Sequence, residues 1–184
     1  ALTADTKLVT VTIGGNDVGY VGTLGAASCR MFAVPPPGMA AWPCTAPTIA
    51  PDAWTKLDTA MRGVVAEVRR RSPAARLIFV DYLTILPERG TCATVPLTPA
   101  QADASRETAR RLAALTARVA AETGSEVLKA SALSRRHGPC GAEPWVTGFP
   151  LPGDPAFIPY HPNARGMSAV ADALAQRLGT PNGG

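Results

Sequence analysis

Histidine occurs only twice in 184 residues, and one of the two stands where it could do chemistry. His161 lies in Pro159-Tyr160-His161-Pro162-Asn163, just ahead of the last amphipathic run. Prolines on both sides stiffen the backbone, and a stiff loop at a helix start is a good place to hold a general base. Near the other end of the chain, Gly14-Gly15-Asn16-Asp17 follows a β-branched run. Two glycines permit a sharp turn and let a ligand approach the backbone closely, with Gly15 the candidate for that contact. Asn16 then presents an amide. An imidazole base and an amide donor that converge suit acyl transfer, the amide stabilising an oxyanion and the imidazole moving the proton. Each residue alone has a plainer reading: an exposed loop histidine, and an ordinary Gly/Asn turn.

Convergence depends on the elements that carry them. Leu8 to Ile13 reads as a strand whose dense apolar character fits burial on both faces of a parallel sheet. Residues 18 to 51 are loop-rich, with Pro35-Pro36-Pro37-Gly38. Pro51 to Arg71 reads as a helix with Trp54, Leu57, Met61, Val64, Val65 and Val68 on one face. Arg76 to Tyr82 is a second strand. Thr98-Pro99-Ala100-Gln101 is a capping box that opens a helix running to about Thr123, closed by Gly124. Glu126 to Lys129 is a third strand, followed by a long loop over 131–160. Asn163 caps a final helix whose apolar stripe is Ala164, Met167, Val170, Ala171, Leu174 and Leu178. The alternation of strands and helices predicts a single α/β domain over 1–184, with a parallel sheet built from βαβ units. In such a sheet the exit of the first strand and the mouth of the last helix share the carboxyl edge, where α/β proteins hold their ligands.

Composition bounds the class. Apolar content of 46% and charged content of 17% fit a packed globular protein. No apolar run reaches the roughly 18 residues of a transmembrane helix. Fifteen of the 18 cations are arginine, spread along the chain except for Arg69-Arg70-Arg71. That cluster ends a helix, where cations suit the dipole. No aromatics interleave with it, so nucleic acid is not an expected partner. The four cysteines, Cys29, Cys44, Cys92 and Cys140, form no CxxC pair, so no metal is expected. An even number in loop-like stretches suggests two disulfides and an oxidising compartment, against free buried thiols. Of three possible pairings, Cys29–Cys44 and Cys92–Cys140 is favoured: the first closes one Pro-rich loop, and the second ties loops that follow successive strands.

The Gly14-Gly15-Asn16-Asp17 turn after a hydrophobic strand, with His161-Pro162-Asn163 ahead of a C-terminal helix, resembles the SGNH (GDSL-type) hydrolase superfamily. The cysteine layout and Cys140-Gly141-Ala142-Glu143-Pro144-Trp145-Val146 point to its secreted actinobacterial lipase/esterase branch. The resemblance implies a flavodoxin-like three-layer α/β/α fold, an acyl-ester substrate, no cofactor, and a secreted or envelope location. Of the family's four marker residues, Asn16 matches the oxyanion-hole asparagine and His161 the base. The nucleophilic Ser and the marker Gly have no match, and no Gly-Asp-Ser occurs in the chain. The resemblance therefore implies a C-terminal portion of the domain. An N-terminal segment or a second chain would supply the serine and cover the edge of the Leu8–Ile13 strand. The family often places Asp three residues before the His; here that position is Ile158. The Ile158 backbone carbonyl is the candidate to orient the imidazole, with Asp154 a weaker one. Trp145 packs the long loop or lines an acyl pocket.

Could a serine of this chain replace the missing one? Ser28, Ser72, Ser105, Ser125, Ser131, Ser134 and Ser168 are available. None sits on a strand-to-helix elbow with small neighbours. The rival class is a non-catalytic module that binds lipid, glycan or protein on the same scaffold. The cysteine reading has a direct check: two bridges leave the unreduced chain four hydrogens lighter than the reduced chain in an intact-mass spectrum.

Overall fold

The computed structural model describes residues 2–31, 44–151 and 158–179. The elements run β1 (Leu8–Val11), α1 (Tyr20–Cys29), α2 (Ala53–Arg71), β2 (Arg76–Val80), α3 (Pro99–Thr123), β3 (Glu126–Leu128), α4 (Ala130–Leu133) and α5 (Ala164–Gly179). The strands form one parallel sheet in the order β1-β2-β3, with Val9 opposite Leu77 and Phe79 opposite Val127. With its helices this is the expected three-layer α/β/α arrangement.

β2 is the hydrophobic centre: Leu77, Ile78 and Phe79 are buried, as the continuous apolar run requires. β1 differs from expectation. Leu8 and Thr10 are exposed and Val9 and Val11 half-buried. Among the described residues β1 pairs only with β2, so it is an edge strand with one bare face.

α2 buries Leu57, Met61, Val65 and Val68 along one stripe, and Arg111 of α3 covers its Trp54 ring at 4.1 Å. Arg70 and Arg71 at its end pair with Glu67, so the cluster is a solvated helix terminus. The α3 capping box forms: Thr98 Oγ1 accepts from Gln101 N–H, and the Gln101 side chain accepts from Thr98 N–H. Gly124 closes the helix with φ +64°. Asp58 binds Arg62 and Arg118 at 2.6 Å, tying α2 to α3.

Two helices lie where a loop was expected. α1 falls in the loop-rich stretch because Tyr20-Val-Gly-Thr-Leu-Gly-Ala-Ala-Ser-Cys29 has small residues all round, with seven of its residues buried. A helix buried on most sides shows no polar/apolar contrast to read. α4 is a single turn just after β3. In α5 the apolar stripe is only partly used. Val170, Ala173 and Leu174 pack against the core, whereas Met167 and Leu178 are exposed. Asn163 caps it, its Oδ1 accepting from Gly166 N–H at 3.0 Å.

Both disulfides join the favoured pairs. Cys29 and Cys44 lie 5.2 Å apart at Cα, and Cys92 and Cys140 5.8 Å. No helix among the described residues is long and apolar enough to cross a membrane.

Glu126 of β3 accepts from Arg76 of β2 at 2.9 Å and from Arg177 of α5 at 3.0 Å, joining the last helix to the sheet. The Arg76 hydrogen bond, with help from Arg177, holds its carboxyl below the usual carboxylate range. A depressed carboxylate stabilises the fold above its unfolded pKa, and that contribution is lost as pH falls below it. Glu126→Gln is expected to cost about 1 kcal/mol at pH 7 after solvent screening. The variant and the parent should converge in urea midpoint as pH drops below the carboxylate range.

Candidate functional site

Three parallel strands bring three exits to one edge, and each carries a polar device. After β1 the chain turns at Gly14 with φ +103°, a conformation that favours glycine. Val18 N–H donates to Gly14 O at 3.2 Å, Gly19 N–H to Asn16 O at 3.0 Å and Tyr20 N–H to Gly15 O at 2.8 Å. The turn therefore leads directly into α1. Gly15 N–H donates to the Tyr82 hydroxyl, just beyond β2, at 2.9 Å. A Cβ on Gly15 would lie 2.7 Å from that oxygen, so glycine is required by the close approach. Tyr20 meets the Tyr82 ring edge-on at 6.2 Å. Gly14 and Gly15 are buried while Asn16 and Asp17 are exposed. Asn16 is exposed, and its side-chain amide has no hydrogen-bond partner among the described residues.

The second device is Asp81. Its carboxylate accepts from Ser131 N–H at 2.8 Å and Ser131 Oγ–H at 2.6 Å, seating α4 on the end of β2. Burial pushes its carboxyl above the ordinary value despite these bonds. Thr84 repeats the tie, its N–H donating to Ser134 Oγ at 2.8 Å.

The third is the His161 loop. Val146 and Pro162 form an antiparallel bridge. Thr147 N–H donates to His161 O at 2.9 Å, Tyr160 N–H to Thr147 O at 3.1 Å, and Asn163 N–H to Trp145 O at 2.9 Å. His161 N–H donates to Thr147 Oγ1 at 3.1 Å. Asn163 Nδ2 donates to Pro144 O at 2.7 Å while its Oδ1 caps α5. Pro159 and Tyr160 are buried and His161 is exposed.

His161 Nδ1 lies 2.8 Å from the carbonyl oxygen of Pro159. A carbonyl only accepts, so Nδ1 carries a proton, and in the neutral imidazole the lone pair is then on Nε2. The expectation that the Ile158 carbonyl would do this is corrected: that oxygen accepts from Thr147 Oγ1 at 2.8 Å. The shift by one residue follows from the left-handed backbone of Tyr160, with φ +60°. Asp154 lies outside the described residues. Trp145 is half-buried and stacks on His137, rings 4.2 Å apart and 6° from parallel. Gly166 allows the close fit, since a Cβ there would come within 2.2 Å of Trp145 O. Trp145 thus packs against the loop that holds His161.

The serines are held in structural roles or stand on a helix. Ser28, Ser72 and Ser134 are fully buried, Ser105 is buried within α3, Ser131 binds Asp81 and Ser125 sits beside Thr123. Ser168 is exposed on α5. The described residues hold no cluster of three or more metal-ligating side chains. A cavity of about 790 Å³ is lined by Tyr82, Leu83, Ile85, Leu86 and Leu112, with Arg106 and Arg110 also in its wall. Tyr82 and Asp81 carried no signal in the sequence beyond their place at a strand end.

The parallel α/β sheet thus carries an exposed asparagine at one strand exit and a histidine bonded to a backbone carbonyl before the last helix. Residues 1–169 match the GDSL-like Lipase/Acylhydrolase family, and the chain belongs to that family. It is 30% identical to a lipase of Streptomyces rimosus over 165 residues, covering 89% of this chain and 57% of that protein. It is 29% identical to Lipase 2 of Streptomyces coelicolor over 194 residues, covering 97% and 62%. The chain thus spans about six-tenths of the length of these relatives. Its fold is similar to that of a phospholipase A1 from Streptomyces albidoflavus (TM-score 0.72, 22% identity, covering 96% of this chain and 70% of that one). It is also similar to that of the extracellular lipase of Streptomyces rimosus (TM-score 0.66, 23% identity, 94% and 70%).

The Gly15–Tyr82 contact can be tested without an activity assay. Gly15→Ala should lower stability by about 1–3 kcal/mol through overpacking, and Tyr82→Phe by about 1 kcal/mol through the lost hydrogen bond. The double variant should lose less than the sum in denaturant melts, because both changes break one contact.

Proposed function

We propose that this chain is the larger part of a secreted serine ester hydrolase in which His161 is the general base and Asn16 an oxyanion donor. The observation that carries the reading is the 2.8 Å contact from His161 Nδ1 to Pro159 O, which leaves Nε2 on an exposed ring as the proton acceptor. A serine hydroxyl attacks the ester carbonyl carbon. Its proton passes to His161 Nε2 and a tetrahedral oxyanion forms. The imidazolium returns that proton to the alkoxide leaving group as the C–O bond breaks, giving alcohol and acyl-enzyme. Water then repeats the two steps and releases the acid. The Asn16 amide donates to the oxyanion in both halves. A backbone carbonyl fixes the imidazole tautomer as a carboxylate would, with less stabilisation of the imidazolium.

The nucleophile comes from outside these residues, and the segment that carries it covers the free edge of β1. Three features support this. The seven serines are buried, bonded or on a helix face. Among the described residues β1 has a single strand partner and an exposed Leu8. Met167 and Leu178 leave apolar surface bare on α5. The substrate is an acyl ester, and the cavity lined by Tyr82, Leu83, Ile85, Leu86 and Leu112 has room for an acyl chain. Two disulfides fit an oxidising, extracellular compartment. Similarity to an extracellular lipase supports the same location.

In the full-length protein, Asn16→Ala should lower kcat by 10²–10³-fold, about 3 kcal/mol in the barrier, with the fold intact by circular dichroism. His161→Ala should abolish turnover. Labelling with a fluorophosphonate probe, read by intact mass and peptide mapping, should place the adduct on a serine outside these 184 residues. An adduct on Ser168 or another serine of this chain refutes the nucleophile assignment. No adduct with full-length protein favours a binding module that lacks turnover.

A further inference from the structure

Tyr160 is the only non-glycine residue with positive φ among the described residues. An L side chain disfavours that conformation, and such outliers persist only where surrounding structure enforces them. Its position explains why it is enforced. The bond from His161 Nδ1 to Pro159 O spans two residues, with Tyr160 between them. In an extended segment each residue adds about 3.3 Å, carrying His161 away from the Pro159 carbonyl. The left-handed turn at Tyr160 folds the carbonyl back under the ring.

What holds Tyr160 in this turn comes from the other side of the site. Its ring is 2% exposed and packs beside Phe149, centroids 6.3 Å apart. Its hydroxyl lies 2.5 Å from Ser28 Oγ, also fully buried, 132 residues away in the chain. Burial pushes the phenol well above its ordinary range, so it stays a neutral hydroxyl. Ser28 belongs to α1, the helix entered directly from the Asn16 turn through the Tyr20 N–H to Gly15 O bond. The amide donor and the imidazole are therefore tied to one helix at two points.

We propose that Ser28 and Tyr160 are positioning residues: their buried hydroxyl pair clamps the left-handed turn that aims the Pro159 carbonyl at His161 and fixes the imidazole relative to Asn16. The assignment rests on the reading of His161 as the base. Without the hydroxyl bond the turn relaxes, Nδ1 loses its acceptor, and Nε2 is no longer held in the productive tautomer and place.

The test uses the full-length enzyme, p-nitrophenyl butyrate as substrate, and three variants, Tyr160→Phe, Ser28→Ala and the double, beside His161→Ala. Each single variant should lower kcat about tenfold while KM stays within about twofold, the signature of lost positioning. The double should be no worse than the poorer single, since both remove one bond. The proton NMR signal of His161 Nδ1–H, identified by its loss in His161→Ala, should move upfield or broaden in each variant. A lower Tm with unchanged kcat and an unmoved signal overturns the clamp and leaves a packing contact. If His161→Ala keeps its turnover, the base assignment falls, and the Nδ1–H signal alone decides whether the turn depends on the hydroxyl pair. If Tyr160→Phe fails to fold, Ser28→Ala, which removes one oxygen from a helix, decides it.

Discussion

The parallel pairing of β1, β2 and β3 is the constraint from which the rest follows. Parallel strands cannot be joined by tight hairpins, so long crossovers must return the chain to the same starting edge. All three exits then open on the opposite edge. Gly15 bonds to Tyr82, and Asp81 to Ser131, because three separate segments end at one level. β2 sits at the centre, buried through Leu77, Ile78 and Phe79, and its exit residues bind the exits on both sides. Tyr82 reaches toward β1, and Asp81 toward α4 after β3. Registers such as Phe79 opposite Val127 are thus also statements about the site. A slip of one residue would exchange the side chains that pack on the two buried faces of β2 and pull these contacts apart.

Much of this framework was legible in the residues. β2, α2 and α3 were clear because each has a strong period or a cap: a run of β-branched and aromatic residues, a stripe from Leu57 to Val68, and Thr98 with Gln101. The places of Asn16 and His161 at element boundaries were legible because a glycine pair follows the first strand and a proline-flanked histidine precedes the last helix. Both disulfide pairings followed from which loops must lie together. α1 was not legible, since a helix of Gly, Ala, Ser and Thr that is buried nearly all round has no face to contrast. The partner of His161 was placed one residue early, at Ile158, because backbone sign cannot be read from a tyrosine. Side chains avoid positive φ, and the fold overrides that preference with burial and a hydroxyl bond made 132 residues away. Burial of β1 on both faces was inferred from its composition. Among the described residues one face of β1 is bare, which composition alone could not reveal.

The polar contacts of the molecule divide by place. The ion pairs that join elements, Asp58 with Arg62 and Arg118, and Glu126 with Arg76 and Arg177, run between helices or along the sheet. Asn16 and His161 take part in no ion pair among the described residues. Neutral groups hold their loops: the Tyr82 and Tyr160 hydroxyls, Thr147, Asn163 and backbone carbonyls. An imidazole oriented by a carbonyl gains less charge stabilisation than one oriented by a carboxylate. The geometry of such a base must then come from the backbone that presents it. Here that backbone is fixed from three directions: by Thr147 across the loop, by the Asn163 cap on α5, and by Ser28 from the helix that continues the Asn16 turn. Among the described residues no carboxylate bonds to His161, and the neutral hydrogen bonds around its loop supply rigidity to the segment that presents the ring.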